Sequence, residues 1–156
     1  MNWTAQQEKW AGQWRGTNRL HLSWMTPSDY ISASELSVMP IAMGTFLAVT
    51  STWEHDGEKQ EGFLLLGYDT AQAVATAAWG DSWHMSKSVL FCQGTITQEG
   101  TLDLRGTYEA PPGPDWGWRI VLSIPSDMEL HLVMFNCSPE GDEELAVEAT
   151  YLRTLS

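Results

Sequence analysis

The four residues Asp81-Ser82-Trp83-His84 combine side-chain types that are used in nucleophilic hydrolysis. Ser82 and His84 are two positions apart, so in an extended strand both lie on one face and the imidazole could activate the hydroxyl. The surrounding sequence has neither a Gly-x-Ser-x-Gly nucleophile elbow nor an oxyanion nest. The pattern therefore favours a structural interpretation, in which Asp81 and Ser82 bond backbone groups in a turn, and it predicts no catalytic residue.

A second chemically capable residue is Arg119, which follows two tryptophans in the run 115–119. If its side chain points into the protein, the planar guanidinium would anchor a ligand carboxylate by pairing with both oxygens. If it points outward, it would form a surface ion pair. The alternation of apolar residues from Trp118 to Ile124 favours the outward direction slightly, and both interpretations stay open at this point.

Metal and nucleotide chemistry find no support in the sequence. There is no Cys-x-x-Cys pair, no His-Glu-x-x-His motif, no Walker loop and no Gly-x-Gly-x-x-Gly fingerprint. Cys92 and Cys137 lie in separate apolar runs, which predicts reduced thiols buried as small hydrophobic side chains. A disulfide between them is the less favoured alternative in a cytosolic chain.

The charge balance argues against polyanionic partners. The chain has 20 acidic and 8 basic residues, a formal charge of -12, and its cations are scattered along 156 residues. Nucleic acids and anionic membranes are bound through clustered Lys and Arg, so both are disfavoured. No apolar stretch of about 18 residues and no secretory leader are recognised, which predicts a cytoplasmic location. The length suits one domain spanning residues 1–156.

The elements that would position these residues are mostly strands. Turn signals recur about every eight to twelve residues, which is typical of a barrel or a sandwich. A Thr4-x-x-Gln7 capping box predicts a short helix that Gly12 would end. About ten strands are expected after it, near residues 13–24, 31–39, 45–54, 61–68, 71–79, 88–97, 102–109, 116–124, 128–137 and 145–153.

The segment 71–79 is ambiguous, because its alanines favour helix while its position between two hairpin turns favours strand. We predict a strand. Connections this short join antiparallel neighbours, and closing the sheet removes two costly edges. The fold class expected is therefore all-β, an antiparallel up-and-down closed barrel with a short N-terminal helix.

The first strand shows which of its faces is buried. Its alternation predicts six inward residues, which are Trp14, Gly16, Asn18, Leu20, Leu22 and Trp24. We expect Trp14 to plug one end of the barrel, with Gly12 and Gly16 leaving room for the indole.

Two short motifs carry a resemblance to known families. Gly12-x-Trp14-x-Gly16 and Tyr151-x-Arg153 resemble the barrel-end signature of the calycins, which include lipocalins and nitrobindins. The resemblance implies that Arg153 packs over Trp14. Three more motifs, Gly67-Tyr68-Asp69, Trp79-x-Asp81-Ser82-x-His84 and Pro139-x-Gly141, resemble the bacterial domain-of-unknown-function family number fifteen-seventy-nine. Together they imply a calycin-like barrel, related in architecture to lipocalins, fatty-acid-binding proteins and nitrobindin, without an established activity.

The resemblance to nitrobindins also suggests haem as a candidate cofactor, because those proteins hold haem through a histidine near the C-terminal strand. This chain has no histidine after His131, and its last strand offers Glu148, Ala149 and Thr150 at the corresponding place. A lone strand histidine is more often structural than a ligand. We therefore predict no cofactor and keep haem as a minority alternative.

The nine tryptophans suggest a binding function. The leading hypothesis is a non-catalytic barrel that binds an apolar or amphipathic small molecule in its interior. The residues predicted to line the ligand are Trp53, Tyr68, Trp79, His84, Trp118, Arg119 and His131. One alternative is an enzyme with His84 or His131 as general base. Another is a filled barrel that acts as a structural or homodimerising module through exposed tryptophans.

Overall fold

The computed structural model describes residues 1–155 and confirms the predicted all-β barrel. A helix, α1 (Trp3–Trp10), precedes ten antiparallel strands. The strands are β1 (Gly12–His21), β2 (Asp29–Ile41), β3 (Phe46–His55), β4 (Glu58–Asp69), β5 (Val74–Asp81), β6 (Met85–Ile96), β7 (Leu102–Tyr108), β8 (Trp116–Ser126), β9 (Glu129–Cys137) and β10 (Glu143–Arg153). Each strand pairs with its neighbours in sequence, and β1 also pairs with β10, which closes the barrel.

Each predicted strand corresponds to one of the ten, with ends that differ by up to three residues, and two of these differences bear on the site. Strand β1 stops at His21, and Trp24, predicted to face inward, is 73% exposed. The chain turns here because the Leu22 amide donates to the Ser28 carbonyl. The ambiguous segment is a strand, as predicted, but it begins at Val74 after Ala73 at a positive φ of 57°.

The predicted capping box is wrong. Helix α1 begins one residue earlier than Thr4, and the side chain of Asn2 accepts the cap hydrogen bond from the Ala5 amide at 3.0 Å. Gln7 is buried instead, and its side-chain amide donates to the Gly44 carbonyl at 2.7 Å. Together with the Trp3 indole, which donates to the Thr45 carbonyl, this bond lays the helix across one end of the barrel.

Trp14 lies under the helix at that end and is 1% exposed. Its indole N–H donates to the Trp10 carbonyl at 3.0 Å, and the Arg153 guanidinium lies 4.1 Å from its ring centroid. The expected role of Gly16 needs correction. A Cβ there would lie 1.8 Å from the Thr150 carbonyl oxygen, so Gly16 makes room for the backbone of β10, whereas a Cβ at Gly12 would approach Arg153.

The interior of the barrel is packed. Inward leucines, tryptophans and other apolar side chains form one core, and the space left beside Trp53, Trp79, Asp81 and His84 is about 30 Å³. That volume suits water rather than a ligand. Large side chains therefore fill this part of the barrel.

Both cysteines are free and buried, as predicted. Burial raises the pKa of Cys92 to about 11 and also raises that of Cys137.

Candidate functional site

The largest cavity bounded mainly by aromatic rings lies at the end of the barrel opposite α1. Its volume is about 260 Å³, and we call it the mouth pocket. The residues that line it are His21, Leu22, Trp24, Trp79, Trp83, His84, Met85, Tyr108, Trp118, Asn136, Glu144, Leu145 and Ala146. They come from strand ends and from the turns that connect them.

The turn after β5 positions His84. Asp81 ends the strand, and its Oδ1 accepts hydrogen bonds from the backbone amides of Trp83 at 2.8 Å and His84 at 2.9 Å. This confirms the predicted turn, since an aspartate often bonds the amides that follow it. The other oxygen, Oδ2, accepts from the indole N–H of Trp53 at 3.1 Å.

Asp81 also orients the imidazole, because its Oδ1 lies 3.4 Å from His84 Nδ1. Burial by itself would raise the pKa of Asp81, but the hydrogen bonds and charge of His84 outweigh it and hold that pKa below 3.8. The carboxylate is therefore ionised at neutral pH. It turns Nδ1 inward and leaves Nε2 as the ring nitrogen without a partner within residues 1–155.

His84 is surrounded by indole rings. Ring centroids lie 4.6 Å away for Trp83, 5.5 Å for Trp118, 5.6 Å for Trp53 and 6.1 Å for Trp79. Trp79 and Trp118 stack on each other with centroids 5.0 Å apart and an interplanar angle of 16°. The buried Nε1 of Trp118 has no acceptor among residues 1–155.

Ser82 does not take part in this site. Its hydroxyl donates to Gln60 Oε1 at 2.7 Å and accepts from the Glu61 amide at 3.0 Å. The hydroxyl is therefore held by the neighbouring strand and forms no hydrogen bond with His84. A serine–histidine nucleophile is absent from this turn.

The structure groups four of the predicted ligand residues and separates three. Trp53, Trp79, His84 and Trp118 come together beside the mouth pocket. Tyr68 lies at the opposite end, where it stacks on Trp3 with centroids 5.7 Å apart.

Arg119 and His131 lie on the outer surface. Arg119 donates to both Asp103 oxygens at 2.9 and 2.7 Å and to Glu143 at 2.9 Å, which raises its pKa above the ordinary value. His131 Nε2 is 2.6 Å from a Glu129 oxygen. Both point outward because their neighbours along the strand, such as Trp118, fill the inward positions.

Haem does not fit these residues. The proposed ligand His131 is outside the barrel, and in β10 the inward residue is Ala149 while Glu148 and Thr150 are exposed. The mouth pocket lies below the range of about 300–1,000 Å³ typical of drug-sized ligands, and a tetrapyrrole is a large ligand on that scale. Within residues 1–155 no group of three or more His, Cys, Asp or Glu side chains could hold a metal ion.

The sequence analysis did not predict that the rings of His55 and Tyr30 extend the aromatic cluster. His55 lies 5.4 Å from Trp83 and 4.8 Å from Tyr30, centroid to centroid. His55 is two residues after Trp53, so the strand period could have placed both on one face. The pair Tyr108–Asn136, joined by a hydrogen bond from the phenol, had no such signal because the two residues are far apart in sequence.

These features define a small calycin-like closed β-barrel with an aromatic pocket at its open end. The sequence profile of the family described as "Protein of unknown function (DUF1579)" matches residues 5–153, and the chain belongs to this family, as the motifs predicted. A comparison with curated proteins finds no match. No helix within residues 1–155 is long and apolar enough to span a membrane.

Two solved structures share the fold. The crystal structure of Rv2717c from M. tuberculosis superposes with a TM-score of 0.69 at 12% identity, covering 99% of each chain. The S-type phycobiliprotein lyase CPES from Guillardia theta superposes with a TM-score of 0.62 at 14% identity, covering 100% of this chain and 94% of the other. At these identities the likeness shows the fold alone.

Proposed function

We propose that the protein binds a small, flat, mainly apolar molecule in the mouth pocket and does not catalyse a reaction on it. The observation that carries the proposal is the 260 Å³ cavity walled by Trp79, Trp83 and Trp118 in an otherwise packed barrel. Aromatic walls favour a flat ligand through stacking and through burial of apolar surface, at about 25 cal/mol per Å². The volume limits the ligand to one or two fused rings.

The polar groups of the pocket favour a neutral ligand with a hydrogen-bond acceptor. Asn136 Oδ1 is occupied by the Tyr108 hydroxyl, which leaves the Asn136 amide group to donate. Glu144 lines the same pocket and the chain carries a formal charge of -12, so an anion would meet repulsion.

The proposal is tested with 6-propionyl-2-(dimethylamino)naphthalene, a neutral probe of two fused rings that carries a carbonyl acceptor and whose fluorescence changes in apolar surroundings. Ala146→Phe would fill the mouth pocket, and Ala33→Phe would add the same ring on the exposed outer surface as a matched control. We expect saturable binding to the wild type and to Ala33→Phe, and at least about tenfold weaker binding to Ala146→Phe, the equivalent of about 1.4 kcal/mol. Equal affinity of all three proteins, or no binding by the wild type, would overturn the proposal.

A second candidate function is catalysis with His84 as general base. The observation that favours it is the Asp81–His84 pair, which orients a ring that lines the mouth pocket and leaves its Nε2 without a partner within residues 1–155. His84→Gln should then abolish hydrolysis of a small nitrophenyl ester while probe affinity changes little. If ester hydrolysis by wild type and variant is the same, His84 has no such role.

A further inference from the structure

The outer surface of the sheet carries an uncharged row that runs across five strands. Met39 on β2 is the register partner of Ala48, which pairs with Leu65, then Ala78, then Phe91 on β6. We call this row and its large apolar neighbours Phe46, Phe63 and Val89 the outer apolar face. Its side chains are well exposed, with Phe91 at 75% and Met39 at 55%.

The outer apolar face has raised phenylalanine rings beside a groove. The Phe46 ring lies 2.8 Å from where a Cβ of Gly67 would be, so it covers that glycine. Phe91 stands on the other side of a groove of about 750 Å³ whose lining includes the small residues Gly67, Thr76 and Ala78. A ridge beside a groove on one face lets two copies of that face interlock, as a two-fold contact requires.

The charges around the face also suit a second copy. The chain has a formal charge of -12, yet none of the residues of the outer apolar face is ionisable, and the charged side chain that lines the groove, Arg105, pairs with Glu143 at 3.0 Å. Glu54 is exposed on the β3 side and Lys87 on the β6 side, and neither forms an ion pair within residues 1–155. A two-fold axis parallel to the strands brings the β3 side of one copy over the β6 side of the other, and so brings Glu54 towards Lys87.

Other occupants fit less well. An anionic lipid surface offers charges of one sign only, whereas a second copy offers Lys87 to Glu54 and Glu54 to Lys87. A peptide strand cannot extend the sheet, because β1 and β10 pair and no edge is free. The same face of a second copy supplies apolar side chains together with the complementary pair of charges.

We propose that this protein forms a symmetric homodimer, sheet against sheet, through the outer apolar face. The contact would use phenylalanine, leucine and methionine, whereas the sequence suggested exposed tryptophans. The exposed Trp24 lies instead at the mouth pocket. A standard stable interface buries about 800 Å² per partner, so the contact has to involve several of these five strands.

The dimer is tested by sedimentation velocity and light scattering at protein concentrations from about 1 µM to about 1 mM. This range covers the dissociation constants of moderate and weak dimers. We expect the wild type to reach twice the chain mass of 17.4 kDa. Phe91→Glu should stay at the chain mass because it buries a carboxylate at the contact. Leu152→Glu, which changes an equally prominent side chain on β10, should dimerise normally.

A charge exchange gives an independent test. Glu54→Lys should weaken the dimer by setting two lysines against each other, and Glu54→Lys combined with Lys87→Glu should restore it. A wild type that stays at 17.4 kDa throughout the range, or a Phe91→Glu protein that dimerises as well as Leu152→Glu, would overturn the proposal. Circular dichroism checks that each variant retains the barrel.

Discussion

The guanidinium of Arg153, in the last strand, lies 4.1 Å from the ring centroid of Trp14, in the first strand. The two residues are register partners where β1 and β10 close the barrel. Arg153 also donates to the carbonyls of Lys9 at 2.6 Å, Ala11 at 2.7 Å and Asp127 at 3.0 Å. One side chain therefore joins the end of α1, the closing strands and the β8–β9 turn.

We predict that Arg153→Met lowers the free energy of unfolding by about 2–4 kcal/mol, because three charge-assisted hydrogen bonds and a cation–π contact are lost. Urea unfolding followed by tryptophan fluorescence measures the change. Arg15→Met is the control, since the Arg15 side chain is 73% exposed and, within residues 1–155, forms an ion pair with Glu35 alone. Equal losses in the two variants would contradict the assigned role of Arg153.

Gly16 is predicted to tolerate no side chain. An alanine Cβ would lie 1.8 Å from the Thr150 carbonyl oxygen, which is backbone and can move only if β10 separates from β1. Gly16→Ala should cost about 3 kcal/mol or more, or prevent folding. Gly113→Ala is the matched control, because a Cβ there meets its nearest atom at 3.8 Å. Thermal unfolding of the two variants tests the prediction, and similar melting temperatures would disprove it.

Asp81 should make stability depend on acid pH. Its pKa in the folded protein is below 3.8, the ordinary value, so its stabilising effect is present above pH 3.8 and is lost as the pH falls through the folded-state pKa. We expect Asp81→Asn to be less stable than the wild type at pH 7 by about 1–3 kcal/mol. The difference between the two proteins should shrink below pH 3.8. Urea unfolding at a series of pH values measures this difference. A difference in free energy of unfolding that stays constant with pH would show that the charge of Asp81 does not contribute.

The thiol of Cys92 should be unreactive in the folded protein. Burial raises its pKa to about 11, so little thiolate is present at pH 7 and the sulfur is also shielded. We expect alkylation by iodoacetamide to be slow in buffer and rapid in denaturant, as followed by mass spectrometry. Fast modification of Cys92 without denaturant would show that the barrel opens at β6.

Much of the fold was predictable because strands and hairpin turns leave local signals. The alternation around Trp14 identified the inward face of β1, and closely spaced turn residues predicted a meander. The inward position of Trp24 was wrong because the strand ends where Leu22 bonds Ser28, a contact that alternation does not encode. The predicted helix cap, Thr4, was two residues too late, because the side chain of Asn2 bonds the Ala5 amide and takes that role.

The sequence predicted the types of residue that line the mouth pocket better than it predicted which of them meet there. Trp79 is in β5 and Trp118 in β8, so their stacking across the barrel exists only because the sheet closes. Arg119 points outward, the direction that the alternation slightly favoured, and Arg119 and His131 lie outside the pocket because apolar neighbours occupy the inward positions. Tyr68 lies at the α1 end of the barrel, where it stacks on Trp3, and not at the end that holds the mouth pocket.

The sequence by itself determined the class of fold and the family, since both depend on periodicity, turns and short motifs that are read along the chain. The tertiary structure decided how much space remains inside, which end is covered by α1 and which rings meet at His84. These properties depend on side-chain volumes summed around a closed barrel, and no stretch of the chain carries that information alone.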